Sequence, residues 1–389
     1  MFSDRTNWQL IRNRLTEVLE QAKSSGVRVL DLTISNPTRA GLRYDDQTIL
    51  KSLSSPQALD YDPQPKGLLS ARAAIAAYYE TQHGIREFDC EQVILTTSTS
   101  EGYSFVFRLL CNAGDELLVP KPSYPLFEFL ADLQDVKLVP YPLIYDHGWQ
   151  MDFPSLEKLV TRRTRGVVVV HPNNPTGSYV QAHELATLNA FCHRHELAVI
   201  ADEVFLDYAH NGRARLSFVA NHDVLSFTLS GVSKISALPQ MKVAWIAVGG
   251  PRTDVETALD RLEVIADTYL SMNAPIQWAT PVLLDQRKDI QRQLMDRVIG
   301  NLAELDRQLA GQTTCQRLDV EGGWYAVLRV PVTQTDEELA ADLLRRKSVL
   351  VHPGHFYDFS SDGYLVLSLI TPENEFTEGT KRLLETMAS

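Results

Sequence analysis

Gly166-Val167-Val168-Val169-Val170 leads directly into His171-Pro172-Asn173-Asn174-Pro175-Thr176-Gly177, and this stretch decides the fold. The run is apolar on both faces, as a strand of a parallel sheet covered by helices must be. The loop behind it sets two prolines and a glycine around paired asparagines, a rigid frame that can hold one amide side chain in a fixed direction. A turn needs only some polar residue at Asn174. This string is far more specific than that.

Working outward, the same theme recurs at residues 92–95, 116–119, 137–139, 197–200 and 224–228: a short apolar run, a polar loop, then a helical stretch. The run at 243–248 follows the loop after Lys234 too closely for a crossover helix, so it is expected to be antiparallel to its neighbour. These runs predict an α/β fold with a large, mostly parallel seven-stranded sheet flanked by helices. Residues 66–83, 253–271 and 275–310 read as helices, and residues 8–23 place Leu10, Ile11, Leu15, Val18, Leu19 and Ala22 on one helical face. Strands at 324–330, 348–351 and 364–369 around a helix at 335–346 predict a smaller α+β unit. The strand at 27–34 has no partner in the middle block and is expected to join that unit. The expected division is therefore a large domain over residues 41–294 and a small, discontinuous domain made of 1–40 and 295–389.

The chain has 389 residues, with 37 Lys and Arg against 49 Asp and Glu for a net charge of −12. An acidic surface repels phosphate backbones, and the cluster Arg162-Arg163-Thr164-Arg165 reads as a solvated helix end, so no nucleic-acid partner is expected. Cys90, Cys111, Cys192 and Cys315 lie far apart, which suggests neither a disulfide framework nor a zinc site and fits a reducing cytosol. Asp4 and Arg5 precede any apolar run, and no apolar stretch approaches the ~18–20 residues a membrane helix needs. A cytoplasmic protein with no metal is the expectation.

In an open parallel sheet, ligands bind at the carboxyl ends of the strands, and the unusual polar residues fall there. After residue 95 come Thr96-Thr97-Ser98-Thr99-Ser100-Glu101-Gly102, whose hydroxyls and free helix amides could cradle an anion or merely cap a helix. Asp202 and Glu203 end the run at 197–200; a carboxylate there is unfavourable unless it faces a cation, and an exposed N-cap position suits Glu203 better. After residue 228 come Leu229-Ser230-Gly231-Val232-Ser233-Lys234, with Lys242 beyond. Lys234, among small residues behind a buried strand, is expected to be partly desolvated, which favours its neutral, nucleophilic amine.

Taken together, Pro-Asn-Asn-Pro-Thr-Gly at 172–177, Ala-Asp-Glu-Val-Phe at 201–205 and Ser-Lys at 233–234 resemble the fold-type I pyridoxal-phosphate enzymes, specifically the class I/II aminotransferases of the aspartate aminotransferase superfamily. The resemblance spans nearly the whole chain. It implies that Lys234 forms a Schiff base with the cofactor aldehyde and, once released, moves the substrate proton. It implies that Asp202 pairs with the pyridine nitrogen, that Asn174 hydrogen-bonds the ring hydroxyl, and that Tyr124 stacks on the ring. It places the phosphate among Ser98, Thr99 and Ser100, completed by Ser230 or Ser233 and Lys242. Tyr61 resembles a tyrosine that reaches the neighbouring subunit's phosphate, which implies a homodimer with shared sites.

Departures from the family concern the substrate more than the cofactor. Lys242 stands for the usual arginine, Gly231 for a frequent phosphate-binding serine, and Phe205 for a tyrosine. Val366, in Tyr364-Leu365-Val366-Leu367-Ser368, occupies the place of the arginine that grips the substrate carboxylate in the family. Arg39, in Asn36-Pro37-Thr38-Arg39, is the candidate replacement, with Asn36 beside it; His352, His355 and Tyr357 are further pocket candidates. The implied activity is transfer of an amino group from an amino acid to a 2-oxo acid by a ping-pong route. Alternatives are a lyase, cyclase or decarboxylase-like enzyme using the same cofactor, or a non-catalytic binding protein of the same fold.

Overall fold

A computed structural model describes residues 1–8, 13–124, 127–210 and 216–388; Leu10 and Ile11 lie outside the described residues. The strands, in chain order, are β1 Leu30–Asp31, β2 Val93–Thr96, β3 Glu116–Lys121, β4 Lys137–Tyr145, β5 Trp149–Met151, β6 Thr164–Val170, β7 Ala198–Asp202, β8 Ser226–Gly231, β9 Ala244–Gly249, β10 Gln316–Arg317, β11 Tyr325–Arg329, β12 Val349–Leu350, β13 His352–Pro353 and β14 Tyr364–Ser368. The helices are α1 Arg14–Ser24, α2 Asp46–Ser52, α3 Leu69–His83, α4 Thr99–Leu110, α5 Phe127–Asp132, α6 Phe153–Leu159, α7 Ala182–His195, α8 Val232–Ile235, α9 Arg252–Tyr269, α10 Ala274–Asp285, α11 Arg287–Leu309, α12 Asp336–Lys347 and α13 Glu373–Met387.

The large sheet has the order β2-β9-β8-β7-β6-β3-β4-β5. Strands β8, β7, β6, β3 and β4 pair in parallel, while β9 is antiparallel to both β8 and β2. Side chains alternate along β6: Val168 and Val170 pack with residues of α4 and α9, and Val167 and Val169 pack with Leu188 and Phe191 of α7. Both faces are thus dry, which is why Gly166 to Val170 carry no polar side chain. The sheet holds eight strands rather than seven. The extra one, β5, is a short antiparallel return of β4 at a sheet edge, where half-exposed positions remove the apolar signal.

The small unit joins both ends of the chain. Leu30 and Asp31 of β1 pair in parallel with Val349 and Leu350 of β12, and a four-stranded antiparallel sheet runs β10-β11-β14-β13. Their core gathers Leu32, Trp324, Val327, Val349, Leu367 and Phe376. The stretch expected as one helix over 275–310 is two helices broken at Gln286. Each half serves a different core: Ile276, Ala279 and Leu283 of α10 pack beside the large sheet, and Ile290, Leu294 and Val298 of α11 pack into the small unit.

Strands β2, β3, β6, β7 and β8 all end at one edge of the large sheet. The loops leaving that edge meet the small unit there, and the Ser123 amide donates to the Tyr357 carbonyl at 2.9 Å.

Candidate active site

At the edge where those strands end lies a cavity of about 410 Å³ lined by Thr99, Ser100, Tyr124, Asn174, Asp202, Ser233 and Lys234 from the large unit and by Tyr325, His352 and Tyr357 from the small one. Strand β8 delivers Lys234 through the single turn α8. The Tyr208 hydroxyl donates to the Lys234 carbonyl at 2.6 Å, and Gln291 donates to the Ile235 carbonyl at 2.8 Å. The Lys234 amine sits 4.9 Å from the Trp324 ring centroid and 5.4 Å from that of Phe205. Burial among these rings lowers its pKa to about 8, although Asp202 pulls the other way. A readily reached neutral amine is the chemical consequence.

Asp202, the last residue of β7, accepts the Tyr103 hydroxyl at 3.1 Å and the Val204 amide at 3.1 Å. Burial raises its pKa to about 6, opposed by those two bonds and by Lys234. A half-buried anion of this kind favours a cation placed against it. Tyr103, which the sequence reading did not single out, is the partner missed there.

Glu203 corrects the sequence expectation of an exposed cap. It is only 1% exposed, and it accepts the Phe218 amide at 2.6 Å and the Ser217 hydroxyl at 2.7 Å. Burial pushes its pKa up to about 7. The folded chain therefore binds this proton more tightly than the unfolded chain does. The stabilisation is present below about 4.5, the group's ordinary value, and is lost as pH rises through about 7. Relative to Glu203→Gln, the wild type should lose about 3 kcal/mol of stability between pH 4.5 and 8. Denaturant unfolding of both cofactor-free proteins at the two pH values checks this.

The loop after β6 divides its two asparagines. Asn173 is spent on the loop, donating to the Pro122 carbonyl at 3.1 Å and to Thr176 Oγ1 at 2.9 Å while accepting Ser123 Oγ at 3.2 Å. Asn174 is 9% exposed, lines the cavity, and its Oδ1 is buried with no partner among the described residues. An amide so placed is free for a partner that the described residues do not supply. Gly177, at φ +70°, closes the loop so tightly that a Cβ would stand 2.4 Å from the Gly322 carbonyl oxygen.

Helix α4 opens with Ser98, whose Oγ accepts the Glu101 amide at 3.2 Å. Ser98 is thus engaged as a cap, while Thr99 and Ser100 in the first turn line the cavity and leave their amides free of intrahelical partners. The Glu101 carboxylate is tied to the Thr97 amide at 2.7 Å and to the Ser271 hydroxyl at 2.9 Å.

Several sequence candidates lie outside the cavity lining. Ser230 is buried, its Oγ 3.4 Å from the Glu203 carbonyl. Lys242 is exposed in a left-handed turn at φ +55°. Tyr61, 84% exposed, lines a second cavity with Leu270 and Ser271. Arg39 and Asn36 are exposed on a short turn, where Asn36 Oδ1 accepts the Thr38 amide and hydroxyl at 3.0 and 2.7 Å. Among the described lining residues there is no arginine.

Gly231 has a local reason. In its extended conformation a Cβ would lie 2.7 Å from the Val243 carbonyl oxygen and 3.0 Å from Ala244, the residue paired with it across the antiparallel β8 and β9 strands. Gly231→Ser should lower stability by about 1–3 kcal/mol, read as a reduced denaturation midpoint.

The profile of the aminotransferase class I and II family matches residues 4–379. The alanine aminotransferase of Mycobacterium tuberculosis (strain H37Rv) is 28% identical over 386 residues, covering 96% of this chain and 89% of that protein. The glutamate-pyruvate aminotransferase of Escherichia coli (strain K12) is 31% identical over 280 residues, covering 70% and 68%. The solved alanine aminotransferase from Pyrococcus furiosus superposes with a TM-score of 0.90 at 22% identity, covering 100% of both chains.

Proposed function

The chain belongs to the class I and II aminotransferases, and on that footing we propose that it moves an amino group from an amino acid to a 2-oxo acid with pyridoxal 5'-phosphate held in the cavity around Lys234. The observation that carries this reading is one cavity holding a depressed amine, a half-buried carboxylate and an amide with an orphaned oxygen. That donor set fits the cofactor: an amine for its aldehyde, an anion for its ring nitrogen, an amide for its ring oxygen, and the first turn of α4 for its phosphate. When bound, pyridoxal phosphate supplies an electrophilic aldehyde and a ring that withdraws electrons from the substrate carbon.

The remaining work falls to the chain's own residues. Lys234 Nζ, with a pKa near 8, is neutral in a useful fraction at neutral pH and is placed to take and return the proton at the substrate Cα. Asp202 keeps a proton on a ring nitrogen set against it, and the Tyr103 hydroxyl orients that carboxylate. Thr99 and Ser100 receive the phosphate, with Ser98 capping their helix. Trp324 and Phe205 keep water from the amine.

Tyr61, solvent-exposed in the single chain, suits a two-fold homodimer in which it completes the partner's phosphate site, while Ser233 lines the cavity and Ser230 and Lys242 lie outside its lining. The large domain in this reading is expected over residues 41–294 and the small one over 1–40 with 295–389; the packing of Ile290 and Leu294 into the small unit favours a boundary nearer Gln286, where α10 ends. No described helix is long and apolar enough to cross a membrane.

The test is direct. Protein resupplied with pyridoxal phosphate should turn yellow, yield on borohydride reduction an adduct on the peptide containing Lys234, and bleach with L-alanine or L-glutamate as a 2-oxo acid forms. A colourless protein with no adduct would overturn the reading.

A further inference from the structure

We propose that His352 receives the substrate carboxylate, as a neutral donor through Nε2; this rests on the aminotransferase reading above. An amino acid and a 2-oxo acid share the carboxylate next to the reacting carbon, so one site must accept it in both half-reactions. Among the described lining residues, Lys234 is the sole lysine or arginine, and its amine is committed to nitrogen and proton transfer.

Strands β13 and β14 bring the alternative donor into place. His352 is the register partner of Val366, and directly opposed residues of an antiparallel pair project from the same face. Val366 is fully buried and has nothing to donate. His352 stands beside it and reaches the cavity, so the polar function sits one strand over.

The imidazole is held for this role. Its Nδ1 lies 3.0 Å from the Tyr357 hydroxyl, and its ring packs tilted against Phe356 at 5.9 Å and Tyr357 at 5.8 Å. With the Tyr357 hydroxyl donating to Nδ1, the ring proton resides on Nε2, which has no hydrogen-bond partner among the described residues. Burial keeps the ring neutral, with Asp31 pulling the other way. A neutral N–H grips a carboxylate less tightly than a guanidinium, and it can also donate to an amide oxygen.

The test uses the protein loaded with pyridoxal phosphate and whichever of L-alanine or L-glutamate the wild type turns over. His352→Leu should raise KM about tenfold and leave kcat within about threefold. Calorimetry with 2-methylalanine, which carries the carboxylate but no Cα hydrogen, should show a Kd weakened by a similar factor. His352→Gln, which keeps a donor, should recover part of both. Tyr357→Phe, which frees the ring without removing it, should fall between and serves as the test should His352→Leu not fold. Unchanged KM and Kd in these variants, or a loss confined to kcat, would overturn the role of His352. A wild type that transaminates no amino acid overturns the underlying reading instead, and this inference with it.

Discussion

Lys234→Met is expected to lower kcat by at least about 10⁴ and to abolish the borohydride-stable adduct, while making the cofactor-free protein more stable at neutral pH. The loss combines a general base, worth about 10²–10⁴, with the anchoring nucleophile. The gain follows from the depressed pKa. The unfolded chain holds this proton up to about 10.5, and the folded chain releases it near 8. Between those values stability rises with pH, and below 8 the full penalty of a buried ammonium applies. Methionine keeps the apolar stem against Trp324 and Phe205 and removes the charge, so the variant should gain about 2–3 kcal/mol at pH 7, shrinking to nothing above pH 10.5. Steady-state kinetics and pH-dependent denaturant unfolding separate this outcome from a structural role, which would lower both activity and stability.

Asp202→Asn should reduce kcat by about 10²–10³, the usual loss when a preorganised electrostatic partner is removed. The Tyr103 hydroxyl can still donate to the amide oxygen, so the pocket keeps its shape. Asp202 is also what supports the Lys234 ammonium, since burial lowers that pKa and the carboxylate raises it. In the cofactor-free variant Lys234 should therefore titrate below about 8, which labelling of the amine across pH would reveal. An unchanged titration would mean the two groups do not sense one another.

Much of this was legible in the sequence because parallel strands buried on both faces carry so few polar residues that the exceptions stand out. Asn174, Asp202, Lys234, Thr99 and Ser100 were visible as strand-end residues, and all of them line one cavity. Glu203 was misjudged because its partners, Ser217 and Phe218, approach from beyond the local window and only the folded chain shows them. Two adjacent carboxylates look alike in a sequence, whereas alternation sends one into the cavity and the other into the core. Tyr103 was hidden for a related reason: its ring is core and only its hydroxyl touches the site. The position of His352 beside Val366 depends on strand register, and the break at Gln286 carries no glycine or proline at the junction.

The pairing of Leu30 with Val349 also bears on how such a chain is made. On the ribosome, the first strand emerges early and must wait for nearly the whole polypeptide before its hydrogen-bonding edge is covered. Contacts of such wide sequence separation are slow to close and leave an edge open to misassociation meanwhile. The large sheet, whose strands lie between Val93 and Gly249, can assemble first. The wall bearing His352 is then added last, so Lys234 acquires its pocket only as translation ends.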